Sequence, residues 1–252
     1  MNSTSLVGKV ALVTGSSSGL GKAIAERYAA LGADLIIHYS KSRAGADEVV
    51  RTITGMGRRA IAVQADVTQV AAIEHLFAEA LAAFGQLDIV VANAGIELLE
   101  VPVTDYTEEQ FDRLFSTNTK GTYFTLQQAA RHVADRGRII YVASSTTSFP
   151  TPGMAVYGGS KMGGRYVVDV LAKEIGHKGI TVNSIIPYAI DGSGVFADPA
   201  AFPEARQVLI DSCPMGRLGT LDDVANLAEF FASDLASFVN GQHLLANGGA
   251  IG

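Results

Sequence analysis

Seven short, mainly apolar runs recur along the chain, at residues 10–14, 34–39, 60–64, 89–91, 138–143, 180–186 and 243–246. Between them lie longer stretches with helical spacing: 22–31, 44–56, 70–84, from 107 to about 133, 154–177, and from 220 to about 232. Runs such as Ile89-Val90-Val91, with no polar residue at alternate positions, suit strands covered on both faces. Strands that alternate with helices imply a parallel sheet with crossover helices. The expected fold is therefore α/β, a doubly wound, mostly parallel, seven-stranded sheet with helices on both faces, in one domain over residues 1–252. Residues 191–214 break the rhythm, with Gly192, Gly194, Pro199 and Pro203 interspersed. A loop this long in a compact domain is expected to serve as a lid or substrate wall, here over 189–215.

The first strand runs directly into Gly15-Ser16-Ser17-Ser18-Gly19-Leu20-Gly21, and a helical stretch follows. Strand, glycine turn and helix are the context a dinucleotide site requires: glycines let backbone approach a pyrophosphate, and the helix start presents unpaired N–H groups. Gly15, Ser17, Ser18, Gly19, Leu20 and Gly21 are the candidate phosphate-facing residues. NAD sites often close the second strand with an acid that holds the ribose hydroxyls. Here His38-Tyr39-Ser40-Lys41-Ser42 stands instead, with no carboxylate. Tyr39, Ser40 and Lys41 suit a 2′-phosphate, so NADP(H) is the expected cofactor and NAD(H) the alternative. Asp66-Val67 at the third strand's exit meets the adenine edge or merely shapes a turn. Asn93, Ala94 and Gly95, after the fourth strand, either admit a cofactor ribose or, in the case of Asn93, fasten neighbouring strands.

The chemistry centres on Tyr157 and Lys161, four residues apart and so on one helix face. Free tyrosine titrates near ~10, and a fixed cation nearby lowers that value. Such a phenol can pass a proton to or from a carbonyl or alcohol oxygen. Ser144 or Ser145, delivered by the fifth strand, would hydrogen-bond the same oxygen. Alone the Tyr–Lys pair is a common coincidence; its company gives it weight. Thr107-Glu108-Glu109-Gln110 has the form of a capping box, so its paired acids mark a helix start rather than a catalytic pair. Asn118 lies in that helix, where it needs a polar partner such as a water. Gly158, Gly159, Gly163 and Gly164 weaken the Tyr157 helix by about 1 kcal/mol each, which close approach of a facing subunit or the cofactor would offset.

Composition narrows the alternatives. Of 252 residues, 48% are hydrophobic and 17% charged, and the net charge of −6 argues against nucleic acid as a partner. Cys213 is the single cysteine, so no internal disulfide forms. The polar N-terminus and the lack of any apolar run near ~20 residues argue against a membrane span, leaving a soluble cytoplasmic protein as the expectation. The five histidines show no metal-ligand spacing, and no metal is expected.

Together these motifs resemble the short-chain dehydrogenase/reductase family in its single-domain, Rossmann-like form, over essentially the whole chain. Thr14 to Gly21 is similar to the family's cofactor loop, and Ala92-Asn93-Ala94-Gly95 to its Asn-Asn-Ala-Gly segment, with Ala92 in place of the first Asn. The resemblance implies a catalytic tetrad of Asn118, Ser144, Tyr157 and Lys161, with Ser144 preferred to Ser145 by its spacing to the tyrosine. It implies that Lys161 also holds the nicotinamide ribose, as a cofactor contact beside Tyr157, and that Asn118 binds a water in a proton relay. Pro187, Ala189 and Ile190 fall where the family contacts the nicotinamide. There the family usually has Pro-Gly and then a Thr on the carboxamide, whereas this chain has Pro187-Tyr188, with Gly192 at the Thr position. Ser193 or the backbone would have to serve, and Tyr188 would narrow the substrate site. A homotetramer is also implied. The expected activity is NADP(H)-dependent interconversion of a ketone or aldehyde and an alcohol. The alternatives are an NAD-dependent dehydrogenase of a sugar alcohol or hydroxy acid and a non-catalytic nucleotide-binding regulator. Glu97, Phe149, Met154, Tyr188 and Phe196 either line the substrate site or are ordinary packing.

Overall fold

A computed structural model describes residues 5–198 and 200–250; Pro199 and the first four residues of the polar N-terminus lie outside them. The seven strands are β1 (Val10–Val13), β2 (Asp34–Tyr39), β3 (Ala60–Gln64), β4 (Ile89–Ala92), β5 (Arg138–Val142), β6 (Thr181–Pro187) and β7 (His243–Ala246). They form one sheet in the order β3-β2-β1-β4-β5-β6-β7. Every pairing is parallel, so the sheet is wholly rather than mostly so.

Successive strand residues point to opposite faces, and both faces here are dry. On one face Val13, Ile37, Val91 and Ile140 meet Ile24 and Tyr28 of α1 (Gly19–Ala30), Val49 of α2 (Arg43–Gly55) and Phe231 of α8 (Leu221–Ala232). On the other, Leu12, Ile36, Val90 and Ile139 meet Phe77 of α3 (Val70–Phe84), Leu126 of α5 (Thr122–His132) and Val168 of α6 (Ala155–Ile175). Each buried aliphatic chain is worth ~1.5–3 kcal/mol, which is why these strands read as unbroken apolar runs. The strand order reverses between β1 and β4, so their carboxyl ends open a crevice at Gly15 and Ala94.

Three boundaries differ from the sequence pattern. α1 begins at Gly19, not Lys22, so that the last glycines of the loop lie in its first turn. The predicted single helix from 107 to 133 is α4 (Glu108–Leu114), a π-helical turn at Phe115–Gly121, and α5. The Thr107 capping box is present as expected. Within the aperiodic 191–214 stretch a helix appears, α7 (Pro203–Asp211), with Pro203 at its first turn and no buried residue to give it a periodic signature.

Candidate active site

The glycine loop is held in shape by its own packing. Gly15 and Gly19 sit at φ +67° and +51°, which only glycine adopts freely. A Cβ on Gly21 would strike Gly15 O and approach Asn93 Nδ2 to 2.7 Å. His38 fixes the loop from below: Gly15 N–H donates to its Nδ1 at 2.8 Å, and Nε2 reaches Ala65 O at 3.0 Å. This pairing places the imidazole proton on Nε2 and leaves the ring neutral. Burial holds His38 below the usual histidine value, against the opposing Ala65 hydrogen bond and Asp66 charge. Sequence reasoning registered His38 only as a missing acid, since its hydrogen bonds lie across the crevice.

Asn93 takes the fastening role: its Nδ2 donates to Thr14 O at 2.9 Å, tying the exit of β4 to that of β1. The Thr14 hydroxyl accepts from Asn93 N–H at 2.9 Å and Ala94 N–H at 3.0 Å. Asp66 accepts from Thr68 N–H at 2.9 Å, a turn role, and Val67 is buried against Gly121. Tyr39 is buried, while Ser40 and Lys41 are exposed at the crevice end of β2. A pyrophosphate fits this loop, with Ser17 and Ser18 reaching the surface above the start of α1.

Tyr157 is nearly buried, at 6% exposure, on the first turn of α6. Its hydroxyl donates to Glu97 Oε1 at 3.4 Å. Ser144, at the end of β5, accepts from Thr146 N–H at 3.3 Å and Thr146 Oγ1 at 3.0 Å. Its own hydrogen thus remains to be donated to an incoming oxygen. Lys161 is buried and its Nζ donates to Val142 O at 3.2 Å. A Cβ on Gly95 would lie 2.9 Å from that Nζ, so the ammonium rests against the β4 exit. Tyr141 supports the lysine from beneath, donating to Lys161 O at 3.0 Å. All four tetrad positions therefore converge at the carboxyl ends of β4 and β5.

The electrostatics correct the expected tuning. Burial first, then the Glu97 charge, push the Tyr157 phenol well above its ordinary range, with a contact from Ser144 acting the other way. Burial lowers Lys161 to about 8, opposed by Glu97. Lys161 does not depress Tyr157, because the ammonium is aimed at Val142 O and Gly95 rather than at the phenol. Tyr157 is thus a protonated group at neutral pH, suited to donate.

Asn118 differs from expectation as well. Both amide hydrogens are taken, by Ile96 O at 2.9 Å and Ser160 Oγ at 3.0 Å, and Oδ1 accepts from Ile96 N–H at 2.9 Å. The side chain clamps the β4 exit to α6, and its amide hydrogens are not left for a water. The π-helical turn that contains Asn118 aims it inward. Gly158, Gly163 and Gly164 of α6 are closely packed within the chain. A Cβ on Gly164 would lie 2.5 Å from Tyr141 Cζ, one on Gly158 3.2 Å from Thr146 O, and one on Gly163 3.0 Å from Thr119 Cγ2.

Beyond β6, Pro187 is buried in the strand and Ala189 and Ile190 run on toward Gly219. Gly192 occupies φ +79°, so a β-branched Thr there would be strained. Ser193 lies over the glycine loop, its Oγ 3.6 Å from where a Gly19 Cβ would be. Tyr188 reaches Ser212 Oγ at 3.3 Å, bracing the segment after α7. Among the described residues no group of His, Cys, Asp and Glu is arranged to hold a metal, and no helix is long and apolar enough to cross a membrane.

Residues 15–250 match a family model described as enoyl-(acyl carrier protein) reductase. A hydroxynaphthalene reductase-like protein, Arp2 of Metarhizium brunneum, is 39% identical, with 98% of this chain and 96% of that protein aligned. A protein from Burkholderia cenocepacia described as a dehydrogenase, solved with bound NADP, superposes with a TM-score of 0.92 at 30% identity, over 100% of this chain and 97% of that one. LugOII, a promiscuous reductase described as catalysing keto-reduction at C1 during lugdunomycin biosynthesis, superposes with a TM-score of 0.89 at 35% identity, covering 97% of this chain and 98% of that one.

Proposed function

The chain belongs to the short-chain dehydrogenase/reductase family, and from that premise we propose that it is an NADP(H)-dependent carbonyl reductase. The observation that supports this reading best is the convergence of a buried, protonated Tyr157 hydroxyl, the Ser144 hydroxyl and the Lys161 ammonium beside a glycine loop shaped for a dinucleotide. Lys41 and Ser40, with no acid at the end of β2, favour NADP(H) over NAD(H). NADPH, when bound, supplies the hydride.

The protein's part is positioning and proton transfer. Ser144 donates to the carbonyl oxygen and polarises it. Tyr157, protonated at neutral pH, donates its proton to the same oxygen as negative charge develops there. Lys161, largely charged below about 8, holds the cofactor ribose. Asn118 keeps the Ile96 backbone against α6, so that the β4 exit stays in place. Residues 189–215 form the lid, in a single domain, and the protein works as a cytoplasmic homotetramer on a small carbonyl compound. The relatives named for reductase and keto-reduction activity agree with this direction. The test is consumption of NADPH or NADH absorbance with a panel of ketones and aldehydes. Turnover with NADPH preferred is expected; no turnover with either cofactor, or a strong preference for NADH, would overturn the reading.

A further inference from the structure

Glu97 stands where the proposed chemistry leaves no place for it. It stands two residues beyond Gly95, after the end of β4, and is exposed to solvent. Its Oε1 accepts from the Tyr157 hydroxyl at 3.4 Å, and its Oε2 accepts from Val195 N–H in the lid at 3.1 Å. Gly194 is pressed against the same carboxylate: it sits at φ +55°, and a Cβ there would come 2.9 Å from Glu97 Cδ. One carboxylate thus bridges the proton-donating phenol and a lid residue ninety-eight positions further along the chain than Glu97.

A reacting carbonyl must take the hydrogen that Tyr157 now gives to Oε1. Hydrogen-bonded oxygens lie ~2.7 Å apart, so the substrate oxygen and the carbon beside the carbonyl arrive next to Oε1. That oxygen, still anchored to the lid through Oε2, is left with an unpaired acceptor. Two substituents would respond to it in opposite ways. A hydroxyl donates to it and restores the lost bond. A carboxylate is repelled.

Resting on the carbonyl-reductase reading, we propose that Glu97 determines specificity, accepting a hydrogen bond from a hydroxyl on the carbon next to the reacting carbonyl and excluding substrates in which that carbon is a carboxylate. The preferred substrates are then neutral hydroxy ketones. Hydride adds to the carbonyl carbon, the carbonyl π pair takes the Tyr157 proton, the ketone is reduced to a vicinal diol, and NADPH is oxidised. Glu97 is not itself a proton carrier in this scheme.

Three compounds isolate the effect: α-hydroxyacetophenone, acetophenone and phenylglyoxylate share ring and carbonyl and differ only in the carbon next to it, which is CH2OH, CH3 or COO−. Their intrinsic reactivities differ, so the readout is how each kcat/KM ratio changes on replacing Glu97. A hydrogen bond to a charged group is worth ~1.5–3 kcal/mol, so in Glu97→Ala the hydroxyketone-to-ketone ratio is expected to fall about tenfold or more. The phenylglyoxylate-to-acetophenone ratio is expected to rise. Glu97→Gln, which keeps shape and an acceptor but loses charge, should retain part of the hydroxyl preference and lose the discrimination against phenylglyoxylate. Calorimetric binding of the diol product should weaken in Glu97→Ala in parallel. Turnover with both ratios unchanged in Glu97→Ala would overturn this proposal alone. No turnover of any of the three by the parent enzyme, with NADPH or NADH, would overturn it together with the functional reading beneath it.

Discussion

Lys161→Met separates what the buried ammonium does for function from what it costs in stability. Burial brings Lys161 from the ordinary lysine value of 10.5 to about 8. Each tenfold change in proton affinity is about 1.4 kcal/mol, so the folded state carries a penalty of roughly 3 kcal/mol for keeping the group charged at neutral pH. Methionine keeps the buried stem without the charge. It also gives up the hydrogen bond to Val142 O, a loss of ~1 kcal/mol. The cofactor-free variant is therefore expected to be more stable than the parent by about 2 kcal/mol at pH 7, or ~4–8 °C in Tm for a chain of this size. The sign follows from linkage. The folded value is depressed, so the penalty is complete below about 8, fades as pH rises, and is gone above 10.5, where both states are neutral. Urea unfolding of both proteins from pH 7 to 10.5 measures this directly: the parent should gain stability over that window and the gap should close. NADPH affinity and turnover should fall steeply in the variant at every pH. A variant no more stable than the parent at pH 7, or a gap that does not narrow, would refute the reasoning.

Gly164→Ala sets a Cβ 2.5 Å from Tyr141 Cζ and should destabilise the protein by ~1–3 kcal/mol in chemical denaturation despite alanine's better helix propensity. His38 resists protonation because Nδ1 accepts from Gly15 N–H. As pH falls through ~6.5 the unfolded chain takes up a proton that the folded one refuses, so stability in chemical denaturation should decline, and the dependence should flatten in His38→Gln. Ser40→Asp should weaken NADPH binding about tenfold or more while leaving NADH binding nearly unchanged, since a carboxylate there repels only the 2′-phosphate.

The sheet was legible because its central strands are buried on both faces, which gives short runs like Ile89-Val90-Val91 between longer helical stretches. The glycine loop and the Tyr157–Lys161 spacing were equally visible, being local in sequence. The missing parts are those settled by distant contacts. Spacing places Lys161 on the face of Tyr157, yet where the ammonium points depends on Val142 and Gly95. The π-helical turn depends on a clamp between Asn118, Ile96 and Ser160 that spans three elements. α7 buries no side chain and so left no periodic trace. Glu97 was visible as a residue near the site, but its bridge to Val195 exists only once the lid folds back.

The proton donor is the centre of the account, and Tyr157→Phe tests it most directly. The phenyl ring fills the same space without the hydroxyl, so NADPH should bind the variant with unchanged affinity by calorimetry. With a ketone that the parent reduces, NADPH oxidation under single-turnover conditions should slow by ~100-fold or more. Comparable rates for the two proteins would contradict the assignment of Tyr157 as the acid.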